Sequence, residues 1–233
     1  ITSDDFRSSE DLDGLYVTLR NALGTSFPID LTMLHIRREH EDERLVFVLR
    51  DDSDRRRQEE RLSWEATHDS LTHLLNRRAF NASLIRCMGE SGRQDTRSVL
   101  MLIDLDHFKP VNDQGGHLLG DDLLKRLGEL FKDAVRKADT VARLGGDEFG
   151  IILPGCGMQR AEALAERIRQ SVQAMRIESD GRAFGVTTSI GLTELTPEDS
   201  GPREAMARAD EGCYIAKSRG RNAVVVVPSP PAG

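Results

Sequence analysis

Residues Arg143 to Leu153 read RLGGDEFGIIL. The apolar stretches flanking Gly145 and Gly146, Thr140 to Leu144 before and Phe149 to Leu153 after, predict two strands joined by the tight turn that paired glycines permit. Asp147 and Glu148 follow the glycines at once, so an acidic pair sits on the turn. Upstream, VLMLIDLD (Val99 to Asp106) is apolar enough for a buried strand, yet it ends in Asp104 and Asp106, alternate positions directed to one side of a sheet. Buried carboxylates are costly unless paired or bound to a cation. If the hairpin neighbours this strand, carboxylates from two elements converge. That is the oxygen-rich arrangement Mg²⁺ prefers, with phosphate oxygens completing its shell.

Helical and strand patterns alternate around these stretches. Helices are predicted near Asn76 to Met88, Asp121 to Lys137, Gln159 to Met175 and Pro202 to Lys217, and strands near Ser98 to Leu105, Phe184 to Leu195 and Ala223 to Val227. Together with the hairpin they predict an α/β (α+β) architecture, helices packed on a central, mostly antiparallel sheet. In the first part of the chain, Leu12, Leu15, Tyr16, Leu19 and Leu23 are at helical spacing and predict a short amphipathic helix over 9–23, closed by Gly24. FPIDLTMLHIRR and RLVFVLR, separated by the polar HEDE of His40 to Glu43, predict a β-hairpin. Asp51 to Leu62 then turns to charged, helix-forming composition. Leu62 and Ala66, four apart, leave open both a solvated connector and a short coiled-coil seam. PSPPAG, 228–233, is read as a flexible tail.

Composition narrows the function classes. The net charge is −7 and aromatics make up 5%, with the acidity concentrated in residues 1–68. The larger part therefore offers neither a basic excess nor stacking platforms, which argues against polymeric nucleic acid as a partner. No apolar run approaches the length of a membrane span. Cys87, Cys156 and Cys213 are odd in number and far apart, so neither a disulfide framework nor a zinc site is expected and a reducing cytoplasm fits. Ile1 begins no signal-peptide pattern, and a piece of a longer polypeptide is expected.

Six stretches occur in an order and spacing too specific for chance: DSLTHLLNRR (Asp69 to Arg78), DLDHFKPVND (Asp104 to Asp113), GHLLGD (Gly116 to Asp121), RLGGDEF (Arg143 to Phe149), TTSIG (Thr187 to Gly191) and ADEGCYIAKSRGRN (Ala209 to Asn222). Over about Asp69 to Val227 the chain resembles the GGDEF domain, the catalytic domain of diguanylate cyclases. The resemblance implies a fold similar to the palm of nucleotide cyclases, with a βαββαβ core, and synthesis of cyclic di-GMP from two GTP with release of two pyrophosphates.

By position, the resemblance assigns metal binding to the carboxylates of Asp104 and Asp147 and the main-chain carbonyl of Leu105, with Glu148 in support and Mg²⁺, or Mn²⁺, as the ion, two per site. Asp147 is also the implied base for the attacking 3′-hydroxyl. Asn112 and Asp121 match residues that bond the guanine edge, and His117 falls in the same pocket. An Asp accepts from the N1–H and exocyclic amine of guanine, a donor pair adenine lacks. Lys109, Lys217 and Arg221 match positions that meet the triphosphate, and Gly145 and Gly146 let the backbone turn without a Cβ in the way. Gly212 and Cys213 depart from the family's usual Ala-Leu.

Arg136 and Asp139 form an RxxD pair whose offset from Gly145 matches the family's inhibitory site for the product, and Arg167 matches a further arginine that reaches this ligand. Residues 1–53 resemble the last strands of a PAS sensor domain, and 54–68 a helical linker, ahead of the cyclase domain at 69–227. The implied mechanism needs a homodimer, since each domain holds one GTP and the two sites must face each other. The alternative is a catalytically lapsed domain that serves as a receptor for cyclic di-GMP or GTP. Retention of Asp104, Asp147 and Glu148 favours the enzyme.

Overall fold

A computed structural model describes residues 15–20, 22–36, 44–94, 97–179 and 181–229. The chain divides into two compact units, Ile1–Trp64 and Glu65–Gly233. In the first, β1 (Leu15–Arg20), β2 (Ser26–Ile36) and β3 (Arg44–Asp51) form an antiparallel sheet in that order, with Leu15 opposite Leu31 and Ile29 opposite Asp51. β2 and β3 are the expected hairpin; its HEDE turn lies outside the described residues, as do Leu12 and the last four residues of the tail.

The helix expected over 9–23 is not formed where the chain is described, because Leu15 to Arg20 is strand. Tyr16, Val17 and Thr18 are aromatic and β-branched residues that a pleated surface favours, and β2 supplies a ladder of backbone partners that apolar spacing alone does not reveal. α1 (Ser53–Glu65) begins beside Asp52, whose buried carboxylate accepts two bonds of 2.6 Å from Arg55. Leu62 and Trp64 stay exposed on this helix.

The second unit runs β4 (Leu75–Asn76), α2 (Arg77–Gln94), β5 (Ser98–Asp106), α3 (Phe108–Gly115), α4 (His117–Ala134), β6 (Thr140–Gly145), β7 (Glu148–Leu153), α5 (Met158–Ala174), β8 (Ile177–Ser179), β9 (Arg182–Phe184), β10 (Thr187–Leu195), α6 (Pro202–Ser218) and β11 (Val224–Val226). Its six-stranded sheet has the order β11-β10-β5-β7-β6-β4, antiparallel except where β11 joins β10 and β4 joins β6. β5, α3 and α4, β6, β7, α5 and β10 supply the βαββαβ succession. Beyond the short β4 and an α2 that runs on to Gln94, the structure differs from the expected elements around the α3-α4 pair and ahead of β10. α3 is an unforeseen helix ahead of α4, which begins at His117 rather than Asp121. The long strand expected from Phe184 is split, with Phe184 in a small β8-β9 hairpin and β10 starting at Thr187.

Strand alternation sorts the core into two layers. Met101, Ile103 and Leu105 of β5 pack with Phe131 of α4, Phe149 of β7 and Ile168 of α5; the rings of Phe131 and Phe149 meet edge to face at 4.9 Å. Leu100 and Leu102 face the other way, against Phe80 and Leu84 of α2 and Ala209 and Cys213 of α6. Full burial of each large side chain contributes about 1.5–3 kcal/mol, so this alternation fixes the register of β5. It also places Asp104 and Asp106, the next even-numbered positions, on the α2 and α6 side.

Helix α6 reaches the sheet closely because two glycines meet. A Cβ on Gly212 would stand 2.7 Å from the Cα of Gly191, and one on Gly191 would collide with the carbonyl of Ala209. The Gly212-Cys213 departure is thus a packing adaptation, with the Cys213 thiol donating to the Leu102 carbonyl at 3.3 Å. Among the described residues no helix is long and apolar enough to cross a membrane.

Candidate active site

The hairpin lies directly beside β5, as convergence of the carboxylates required. Asp104 is paired with Glu148 in the β5-β7 ladder. The Leu105 N–H donates to the Asp147 carbonyl at 3.2 Å, and the C=O of an extended residue points to the same edge as its N–H, so the Leu105 carbonyl also faces the turn. Gly146 takes a φ of +51°, a left-handed conformation that glycine adopts without penalty. Nothing lies within 4 Å of where its Cβ would be, so the requirement is conformational rather than steric.

Electrostatics single out Asp104. Burial pushes its carboxyl above the ordinary value, and the charges of Asp147 and Glu148 push it further, while Lys217 opposes both with its Nζ 2.6 Å from Oδ2. Among the described residues no three carboxylate, histidine or cysteine side chains gather closely enough to hold a metal alone. That donor set fits Mg²⁺, which is held by one or two carboxylates and fills its shell with water and phosphate oxygens.

Two arginines strap the turn. Arg77, opening α2, donates from Nε to the Leu144 carbonyl at 2.7 Å and from Nη2 to Glu148 at 2.9 Å. Arg143 donates to the Gly146 carbonyl at 2.8 Å and to Asp69 at 3.2 Å. Asp69 also accepts from the Thr72 N–H and hydroxyl. These partners hold its carboxyl below the usual range against burial, which acts to raise it. Sequence reasoning quoted both arginines within motifs without assigning them a role; for Arg143 a cation directly flanking an acidic turn was the available signal, and for Arg77 there was none.

The other expected residues fall in three places. Asn112 and Asp121 are half-buried across the α3-α4 junction, where Asn112 Oδ1 lies so close over Gly120 that a Cβ there would collide with it. Lys109, His117 and Arg221 are exposed, and among the described residues no side-chain bond ties them to the carboxylates. Arg136, Asp139 and Arg167 line one cavity of about 260 Å³, joined by Arg160, which sequence reasoning missed. There Arg136 Nη2 is 3.2 Å from Asp139, and Arg167 donates to the Ala134 carbonyl. Asp106, which pairs with Asp104 in the sequence, has a different task. It is buried and accepts from the Thr187 and Ser189 hydroxyls and from the Asn222 N–H, pinning β10 and the segment that carries Arg221.

A family model described as "Diguanylate cyclase, GGDEF domain" matches residues 66–223. The chain belongs to the GGDEF diguanylate cyclase family. This family likeness extends to individual relatives. The chain is 40% identical over 181 residues to the probable diguanylate cyclase DgcE of Escherichia coli K12, covering 78% of this chain and 16% of that protein. It is 38% identical over 164 residues to diguanylate cyclase A of Treponema denticola, covering 69% of this chain and 44% of that one. It thus spans less than half the length of either relative. Among solved structures, the coiled coil and GGDEF domain of DgcB from Caulobacter crescentus, in complex with c-di-GMP, superposes with a TM-score of 0.70 at 30% identity, covering 75% of this chain and 92% of that one. The GGDEF fold, a mixed palm-like sheet flanked by helices, accounts for residues 66–223.

Proposed function

We propose that the chain is an active diguanylate cyclase, condensing two GTP into cyclic di-GMP with release of two pyrophosphates. The observation that carries the reading is the position of Asp104, at the end of β5, beside the β6-β7 turn that bears Asp147 and Glu148, with Lys217 against Asp104. Asn112 and Asp121 select guanine, with His117 beside them, and Lys109, Lys217 and Arg221 bind the triphosphate. Asp147 takes the proton from the attacking 3′-hydroxyl. Asp104, the Leu105 carbonyl and Asp147, with Glu148 in support, would hold Mg²⁺, or Mn²⁺, which when bound neutralises charge on the phosphoryl group in transfer. GGDEF cyclases depend on metal in general, and this donor set suits that dependence.

Two copies must meet, because the hydroxyl of one bound GTP attacks the phosphorus held by the other; a homodimer is the active form. Arg136, Asp139, Arg160 and Arg167 form the product-binding cavity through which cyclic di-GMP inhibits its own synthesis. DgcB, solved with c-di-GMP, supports binding of that ligand in this family. The β1-β3 sheet and α1 are read as a PAS-like sensor remnant and linker ahead of the cyclase, in a cytoplasmic signalling protein.

The test is incubation of the purified chain with GTP and Mg²⁺ and chromatography of the nucleotides, with Asp147→Asn as control. Cyclic di-GMP formed by the wild type and lost in the variant supports the reading. A chain that binds cyclic di-GMP but forms none, even at concentrations that enforce dimers, is a receptor.

A further inference from the structure

One side chain brackets the acidic turn. Arg77 bonds the Leu144 carbonyl on the strand entering the turn and the Glu148 carboxylate on the strand leaving it. Arg77 and Glu148 are 54% and 47% exposed, so their pairing contributes little stability. What it fixes is direction. Glu148 is opposite Asp104 in the β5-β7 ladder, so its carboxylate has two candidate positive partners: the guanidinium it bonds and any cation held at Asp104. Both arginine and glutamate line the same 300 Å³ cavity as Asp104, leaving room for the carboxylate to swing between them. Arg143 straps the turn from its other side through the Gly146 carbonyl and Asp69.

We propose that Arg77 is a positioning residue that keeps Glu148 in reserve. With Arg77 in place, Asp104 and Asp147 are the direct acidic ligands and Glu148 supports the site by its charge alone while bonded to Arg77; without Arg77, Glu148 moves onto the cation as a third ligand. The inference rests on the metal-dependent reading above. A third carboxylate binds the cation more tightly and neutralises more of its charge, leaving less to polarise phosphate oxygens. Affinity for the metal and turnover therefore move in opposite directions when Arg77 is removed.

The experiment titrates the full chain with Mn²⁺ alone, reading free Mn²⁺ by electron paramagnetic resonance, alongside GTP turnover. Arg77→Ala is expected to bind Mn²⁺ about fivefold more tightly, the upper scale of a half-exposed ion pair, while turnover falls. In the Arg77→Ala and Glu148→Gln double variant, Mn²⁺ affinity should return to that of Glu148→Gln alone. If Arg77→Ala does not fold, Arg77→Lys replaces it: one ammonium lacks the fork needed to span carbonyl and carboxylate together, and a smaller shift of the same sign is expected. Unchanged or weaker Mn²⁺ binding in a folded variant overturns the proposal. So does tightening that survives Glu148→Gln, which would report only the lost positive charge, and so does a wild type that binds no Mn²⁺. A wild type that binds Mn²⁺ yet forms no cyclic di-GMP sinks the cyclase reading and leaves the Mn²⁺ comparison valid.

Discussion

Lys217 Nζ lies 2.6 Å from Asp104 Oδ2, joining the end of α6 to the end of β5. Each partner sets the other's ionisation. Burial raises the Asp104 carboxyl and Lys217 pulls it back; burial works against the charge of Lys217, and the bond to Asp104 together with the negative charges around it leaves the ammonium held above its ordinary value. On the proposed reading Asp104 would hold the cation and Lys217 the triphosphate, so in the absence of both the two side chains neutralise each other.

Removing the lysine exposes this coupling. In Lys217→Met, burial and the neighbouring acids act on Asp104 unopposed, so its carboxyl rises further. The acid limb of the pH profile of kcat/KM should move to higher pH, and the GTP concentration needed for half-maximal rate should increase. Profiles of both proteins at fixed Mg²⁺ decide it; an acid limb that stays put or moves to lower pH contradicts the coupling.

Asp104→Asn should separate function from stability. A carboxyl whose pKa is raised by folding stabilises the protein below its ordinary value of 3.8, and that contribution is lost as pH rises through the raised value. At pH 7 the ionised Asp104 therefore costs stability. The amide removes the cost, and Lys217, more than a third exposed, is left to water. Synthesis should fall by at least about 100-fold, the scale of a lost electrostatic contribution to the transition state, with a melting temperature at pH 7 no lower than wild type. A clear drop would mean that the ion pair stabilises the fold.

Asp106 behaves in the opposite way. Its buried carboxylate accepts bonds of 2.8, 2.8 and 3.0 Å from Thr187, Ser189 and the Asn222 main chain. Asp106→Ala strands three donors and should cost about 3 kcal/mol, or roughly 6–12 °C in Tm for a domain of this size. Because Asn222 adjoins Arg221, the KM for GTP should rise as well. Calorimetry that finds no loss of stability would remove Asp106 as an anchor.

This contrast marks what the sequence disclosed. Asp104 and Asp106 are alternate positions on one strand, and pattern alone placed them together on one side; only the structure shows that Asp104 is paired with a single exchangeable lysine while the partners brought by β10 and by Asn222 bind Asp106 into the framework. The hairpin about Gly145 and Gly146 and the flanking helices were legible because local turn chemistry and apolar period dictate them; the convergence of Asp104 with Glu148 was legible only on the condition that the hairpin neighbours β5, a long-range pairing that the structure supplies. β1 was misread because Leu15, Tyr16 and Leu19 satisfy a helical spacing, and the strand that overrides it lies in β2. Arg77 stayed silent because its two partners are distant in sequence and meet it only across the turn. Arg160 needed α5 to pack beside the RxxD loop before it could join Arg136.

The RxxD pair is built so that its arginine can be removed without collapse of the loop. Asp139 is held by the main-chain N–H of Arg136 at 2.9 Å as well as by the guanidinium at 3.2 Å, and its side chain is 2% exposed. Arg136→Ala keeps the first bond and therefore the turn, while the cavity loses one cation and retains Arg160 and Arg167. Two charge-assisted bonds to a ligand phosphate or guanine edge are the expected loss, so cyclic di-GMP should bind about 10- to 100-fold more weakly. Calorimetric titration of the product into the chain measures this, and initial rates with added cyclic di-GMP should show inhibition shifted to correspondingly higher concentration. Arg167→Ala should act in the same direction, since its guanidinium reaches the same cavity from α5 while donating to the Ala134 carbonyl. Undiminished affinity in both variants would place product binding elsewhere on the molecule.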